Sequence, residues 1–179
     1  MHKFSQLLAI VVVVLLTLSI SVAQNSTGLE IDRVDHLDFE SWECVDRMSR
    51  AGRQKVVLRR MFYSLNKLSE LSELDRKEIP DVFLDGGGVG SVSFSTVRHL
   101  AILKVSGLDL EWWWGGGSGE FLFSIEPNGM GIYQDLRPST ARGISLFECK
   151  KQRLSQKEKK TAKIDLLEFM RQNTWRFEG

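Results

Sequence analysis

The stretch GGGVGSVSFSTVRHLAILKVSGLDLEWWWGGGSGEFLFSIEPNGMGIYQDL, residues 86–136, decides the architecture. Ser91 to Val97 alternates small polar with apolar side chains, the period of two that belongs to a strand. His99–Val105, Leu108–Trp114 and Phe121–Ile125 follow as further β-like runs. Glu126 to Gly129 predicts a hairpin turn, because Asn128-Gly129 takes positive φ at little cost. Met130–Leu136 is then the returning strand, and Gly143–Cys149 the last one.

Outward from this sheet the pattern reads as helix. Before it, Val34, Leu37, Trp42, Val45 and Met48 recur mostly three residues apart, with one slip. Val57, Met61, Leu65, Leu68 and Leu71 follow at spacings of 4, 4, 3 and 3, with Arg59, Arg60, Asn66, Lys67 and Glu70 on the opposite face. This predicts a helical hairpin or kinked helix over residues 38–73, with Pro80 ending the helical part. After the sheet, Ser155 and Glu158 fit a capping box ahead of the stripe Ala162, Leu166, Phe169 and Met170. Helices, then strands, then a helix is the order of an α+β domain. The expectation is a mostly antiparallel sheet of about 5–6 strands with the C-terminal helix packed on it.

Residues 86–95 and 115–124 both read GGGxGxxxFS. The plain expectation is two glycine loops at one end of the sheet, each feeding a strand. Neither loop has the lysine of a phosphate-binding loop, and each leads into a strand where a dinucleotide fingerprint needs a helix. Nucleotide cofactors are therefore not expected.

The N-terminus gives an address. A basic start at Lys3, an apolar run from Leu7 to Val22 and small residues at Ser21 and Ala23 form the layout of a secretory leader over residues 1–23. Residues 24–37 read as a flexible start and 38–179 as one domain. Without Lys3 the 24 basic residues become 23, against 23 acidic, so the mature chain is near neutral. That balance argues against a nucleic-acid partner and restricts any electrostatic recognition to a local patch. Two cysteines, Cys44 and Cys149, predict one disulfide in an oxidising compartment. Asn25-Ser26-Thr27 is a glycosylation sequon.

Two features point to binding. Trp112, Trp113 and Trp114 lie on a strand, so at least one indole faces away from the other two and is available to a partner. Lys150, Lys151, Lys159 and Lys160, among further cations from Arg153 to Lys163, make a basic cluster suited to an anionic glycan or lipid headgroup. If Cys44 bonds Cys149, a second cluster, Arg47 to Arg60, is brought close to it. No metal-ligand spacing and no nucleophile elbow is present. The chain is thus expected to be a secreted, non-catalytic binding protein for an extracellular protein or glycan. The alternatives are a hydrolase using His99 and a carboxylate, or an accessory subunit tethered by an uncleaved segment at 7–22.

Overall fold

The alternation of residues 86–149 extends into the segment that reads as helix, and the sheet closes on itself. In the computed structural model, described for residues 36–47, 54–77, 79, 81–84, 86–115, 120–137 and 143–173, eight antiparallel strands form a closed barrel in sequential order. They are β1 (Asp38–Asp46), β2 (Lys55–Phe62), β3 (Gly88–Phe94), β4 (Val97–Ser106), β5 (Asp109–Trp114), β6 (Phe121–Ile125), β7 (Met130–Asp135) and β8 (Ile144–Lys151). Short helices α1 (Leu65–Glu70) and α2 (Glu73–Lys77) and a 3-10 turn at Asp81–Phe83 join β2 to β3. The long helix α3 (Gln156–Asn173) follows β8. The expected leader, the start at Gln24 and the sequon at Asn25 lie outside the described residues.

The α+β expectation is therefore corrected. Residues 38–46 and 55–62 are two paired strands, in register from Asp38 opposite Phe62 to Val45 opposite Lys55. They add to the six strands legible in the sequence and complete the closed barrel of eight. Closure is made by β1 against β8, with Trp42 opposite Lys151 and Asp46 opposite Phe147.

The register sorts every strand residue to one face. Trp42, Cys44, Val56, Leu58, Val92, Ala101, Leu103, Trp112, Trp114, Phe123, Ile125, Phe147 and Cys149 form the interior cluster. Trp42 and Trp112 meet edge-to-face at 5.4 Å, and Phe123 meets Phe147 at 5.2 Å. An eight-stranded barrel is just wide enough for side chains to fill, and this cluster packs inside it. Glycine makes room where the filling is tightest. A Cβ on Gly90 would strike the Arg59 carbonyl and come within 2.9 Å of Trp112 Nε1. That indole N–H instead donates to the Arg59 carbonyl at 3.0 Å, so the largest buried side chain leaves no polar atom unpaired.

A second apolar layer lies outside the wall. Phe39, Met61, Val89 and Leu100 point outward yet are buried, as are Leu166 and Leu167 of α3 and Tyr63, Leu68, Ile79 and Phe83 of the β2–β3 connection. The expected capping box starts α3: the Ser155 amide donates to Glu158 at 2.7 Å, and the Glu158 amide donates back to Ser155 Oγ at 3.3 Å. The Asn-Gly turn is also as read, with Gly129 at φ 86° and its amide donating to the Glu126 carbonyl. The two glycine-led strands, however, do not start at one end. β3 and β6 run in opposite directions around the barrel, so Gly86 and Gly115 stand at opposite rims.

Candidate functional site

Where β1 begins and β2 ends, the rim of the barrel meets the start of α3. Between them lies a groove of about 1230 Å³. Its floor comes from β1 and β2: Asp38, Glu40, Arg60 and Phe62. One wall is the exit from β8, Lys151 to Leu154, and the other is the α3 stripe Gln156, Lys159, Lys160 and Lys163. That stripe follows from helix geometry, since positions i, i+3, i+4 and i+7 share a face. Lys67 of α1 closes the far end.

Seven cationic side chains line this groove, Arg60, Lys67, Lys151, Arg153, Lys159, Lys160 and Lys163, against two carboxylates, Asp38 and Glu40. Both carboxylates are already engaged. Arg60 Nε donates to Glu40 at 2.7 Å, and Lys151 also pairs with Glu40. The Arg60 guanidinium lies 3.9 Å over the Phe62 ring and 5.4 Å from that of Trp42. This ion pair faces the barrel interior at its rim, because Glu40 and Arg60 sit directly opposite each other in the inward series. Lys67 pairs with Asp38 at 2.7 Å. No hydrogen bond or ion pair holds the charged ends of Arg153, Lys159 and Lys160 among the described residues. The groove therefore offers positive charge that its own acids do not absorb.

Burial pushes the Asp38 carboxyl up, but hydrogen bonds from Lys67 and Ser64 and the Lys67 charge outweigh it and leave the group below its ordinary 3.8. A depressed carboxyl stabilises the fold above that ordinary value and loses the contribution as pH falls through the folded value. Asp38→Asn is accordingly expected to be less stable than the parent at neutral pH. The gap should narrow as pH falls below about 4, in urea titrations run across pH 2 to 7. A gap of constant size would show that the Lys67 contact carries no charge-dependent stability.

The predicted site residues distribute as follows. Lys151, Lys159 and Lys160 are brought together at the groove. Lys150 is not: it points out from β8, 82% exposed, beside Glu148. Of the second cluster, Arg60 reaches the groove, whereas Lys55 pairs with Glu43 and Arg59 with Asp165. Arg50 and Arg53 lie outside the described residues. Lys67, which reads as part of a solvated helix face, is a groove residue that sequence patterning does not single out. Trp112 and Trp114 point into the barrel, 0% and 5% exposed, and present no face to a ligand outside it. Trp113 is the outward indole, half-buried, donating to Glu111 at 2.8 Å with Lys104 4.8 Å from its ring. His99 is half-buried inside the barrel, stacked on Trp114 at 5.9 Å and edge-on to Phe94 at 6.4 Å. Cys44 and Cys149 are disulfide-bonded, as the cysteine count predicts.

Among the described residues no cluster of three His, Cys, Asp or Glu side chains is placed to hold a metal ion, and no helix is long and apolar enough to cross a membrane. Comparison with protein-family models, with curated proteins and with solved structures returns no match for this chain, so its fold and groove stand as the grounds for any functional reading.

Proposed function

We propose that the protein is a secreted, non-catalytic barrel module that binds an anionic glycan along the groove between the β1–β2 rim and α3. The observation that carries this reading is the charge imbalance of the groove. Seven cations surround it, and its two acids are both taken up within the site. Arg153, Lys159 and Lys160 are left to meet an outside anion.

Shape selects the kind of anion. A bilayer offers a flat sheet of headgroups, which suits a planar basic face. Here the cations stand on the walls of a concavity whose lining includes Leu37, Phe62 and Leu154. A linear chain of sulfated or carboxylated sugars can enter such a groove, placing its anions on the walls. Arg and Lys contacts to such groups are charge-assisted and comparatively strong. The disulfide and the leader-like N-terminus support an extracellular setting, where such glycans occur.

The test is binding of the intact secreted protein to a sulfated oligosaccharide. Lys159→Gln combined with Lys160→Gln is expected to weaken binding roughly tenfold or more and to lower the salt needed for elution from heparin. Lys150→Gln combined with Lys55→Gln removes the same two charges from sites outside the groove and is expected to change little. Equal losses from both changes would mean that net charge alone drives retention, and the groove reading would be abandoned.

A further inference from the structure

Beneath α3, the outer wall of β2–β4 carries a polar cluster that the groove does not use. Arg59 stands directly opposite Ser91 across β2 and β3, and Ser93 directly opposite Arg98 across β3 and β4. These positions share the outer face and lie one diagonal step apart. Asp165 of α3 reaches down between the two arginines: Arg59 Nη1 and Arg98 Nη1 donate to the same oxygen, Oδ2, at 2.8 and 2.9 Å. The Arg98 guanidinium lies 4.3 Å over the Phe169 ring, also from α3.

The other edge of Arg98 is the anomaly. Its Nε and Nη2 are shielded from solvent and have no hydrogen-bond partner among the described residues, and neither has Ser91 Oγ on the fully buried Ser91. Buried donors are paired in the great majority of proteins, because an unpaired one keeps its full desolvation cost. Charge is out of balance at the same place, with two guanidiniums sharing one carboxylate. Burial, opposed by Asp165 and assisted by Arg59, pushes the Arg98 guanidinium below its ordinary value, as expected for a cation short of counter-charge. Nε and Nη2 form the side-on fork of a guanidinium, which matches two oxygens of an oxyanion or a single halide.

We propose that a small inorganic anion binds between the Arg98 Nε/Nη2 fork and the Ser91 hydroxyl, completing the charge balance beneath α3 and pinning that helix to the barrel. The site is separate from the groove and independent of the glycan reading. A water molecule would satisfy the same donors but leave the excess positive charge, so the two occupants differ in how they respond to anion identity.

Thermal unfolding of the full-length secreted protein in sodium chloride, against sodium gluconate at equal ionic strength, reads this out, since screening is then the same. Chloride at about tenfold excess over its dissociation constant is expected to raise Tm by roughly 3–6 °C, with logarithmic dependence beyond. Arg98→Met should abolish the chloride dependence whatever its own Tm. Ser91→Ala, a milder change in case the first fails to fold, should weaken it. Lys159→Gln with Lys160→Gln should leave it intact. Identical Tm in both salts would overturn the proposal in favour of water. So would a chloride effect that survives Arg98→Met, or one that disappears with the two groove lysines.

Discussion

Replacing Cys44 and Cys149 together by Ala is expected to lower stability by about 4–5 kcal/mol, a fall in Tm of roughly 10–15 °C. The two residues are 105 positions apart, so the bond removes a large loop-closure entropy from the unfolded chain. Its position adds to the effect. Cys44 and Cys149 are direct partners across β1 and β8, the seam where the barrel closes between distant parts of the chain. That seam spans five register pairs, whereas β1 and β2 share eight. Any opening of this seam exposes two edge strands with unpaired backbone groups, which is also a route to aggregation. The interior is fitted around the sulfurs as well: a Cβ on Gly131 would stand 2.6 Å from Cys149 Sγ and 2.9 Å from Phe123. Urea unfolding of the double variant, and of the parent with and without reductant, measures the loss. A difference below about 1 kcal/mol would mean that β1 and β8 hold the seam by pairing and packing alone, leaving the chain-entropy contribution offset elsewhere.

The same seam explains what the sequence shows and what it hides. Residues 91–149 read as strands because their turns are explicit and their apolar runs are short, as in Phe121–Ile125 followed by Pro127-Asn128-Gly129. β1 and β2 are concealed by being covered on both sides. Trp42, Val56 and Leu58 face the interior, while Phe39 and Met61 face the outer apolar layer. Apolar residues then fall three or four apart and imitate a helix. The inward positions Glu40 and Arg60 complete the disguise, since a charged pair interrupts the period of two where a core is expected. The adjacent valines at 56 and 57 favour a strand, but they are too few to outweigh the spacing. Barrel closure itself is a long-range property, and the cysteine pair was its one local trace. The groove was half legible for a similar reason. Lys159, Lys160 and Lys151 are close in sequence, but Arg60 and Lys67 join them through the chain's return to β1, and Lys150 leaves them through strand alternation.

Strand alternation also sets the largest single-residue contrast. Trp112→Ala is expected to cost about 3–5 kcal/mol, the range for emptying a large aromatic site in a packed core. Trp113→Ala should cost about 1 kcal/mol, because its half-exposed ring gives up a surface hydrogen bond to Glu111 and the Lys104 contact. Adjacent, chemically identical side chains would thus differ severalfold in effect. Trp112 is fully buried, packs edge-to-face on Trp42, and holds the Arg59 carbonyl through the space that Gly90 leaves open. Removing it creates a cavity inside the barrel and takes the indole donor away from that carbonyl. Denaturant midpoints of the two variants, with glycan binding measured alongside, separate structure from recognition. Trp112→Ala that remains folded should bind at the groove as the parent does, since the indole takes no part in lining it. Similar stability losses at 112 and 113 would contradict the inward–outward assignment of β5. A stable Trp112→Ala protein would mean that the barrel tolerates an open interior, and the search for a ligand would then move inside it.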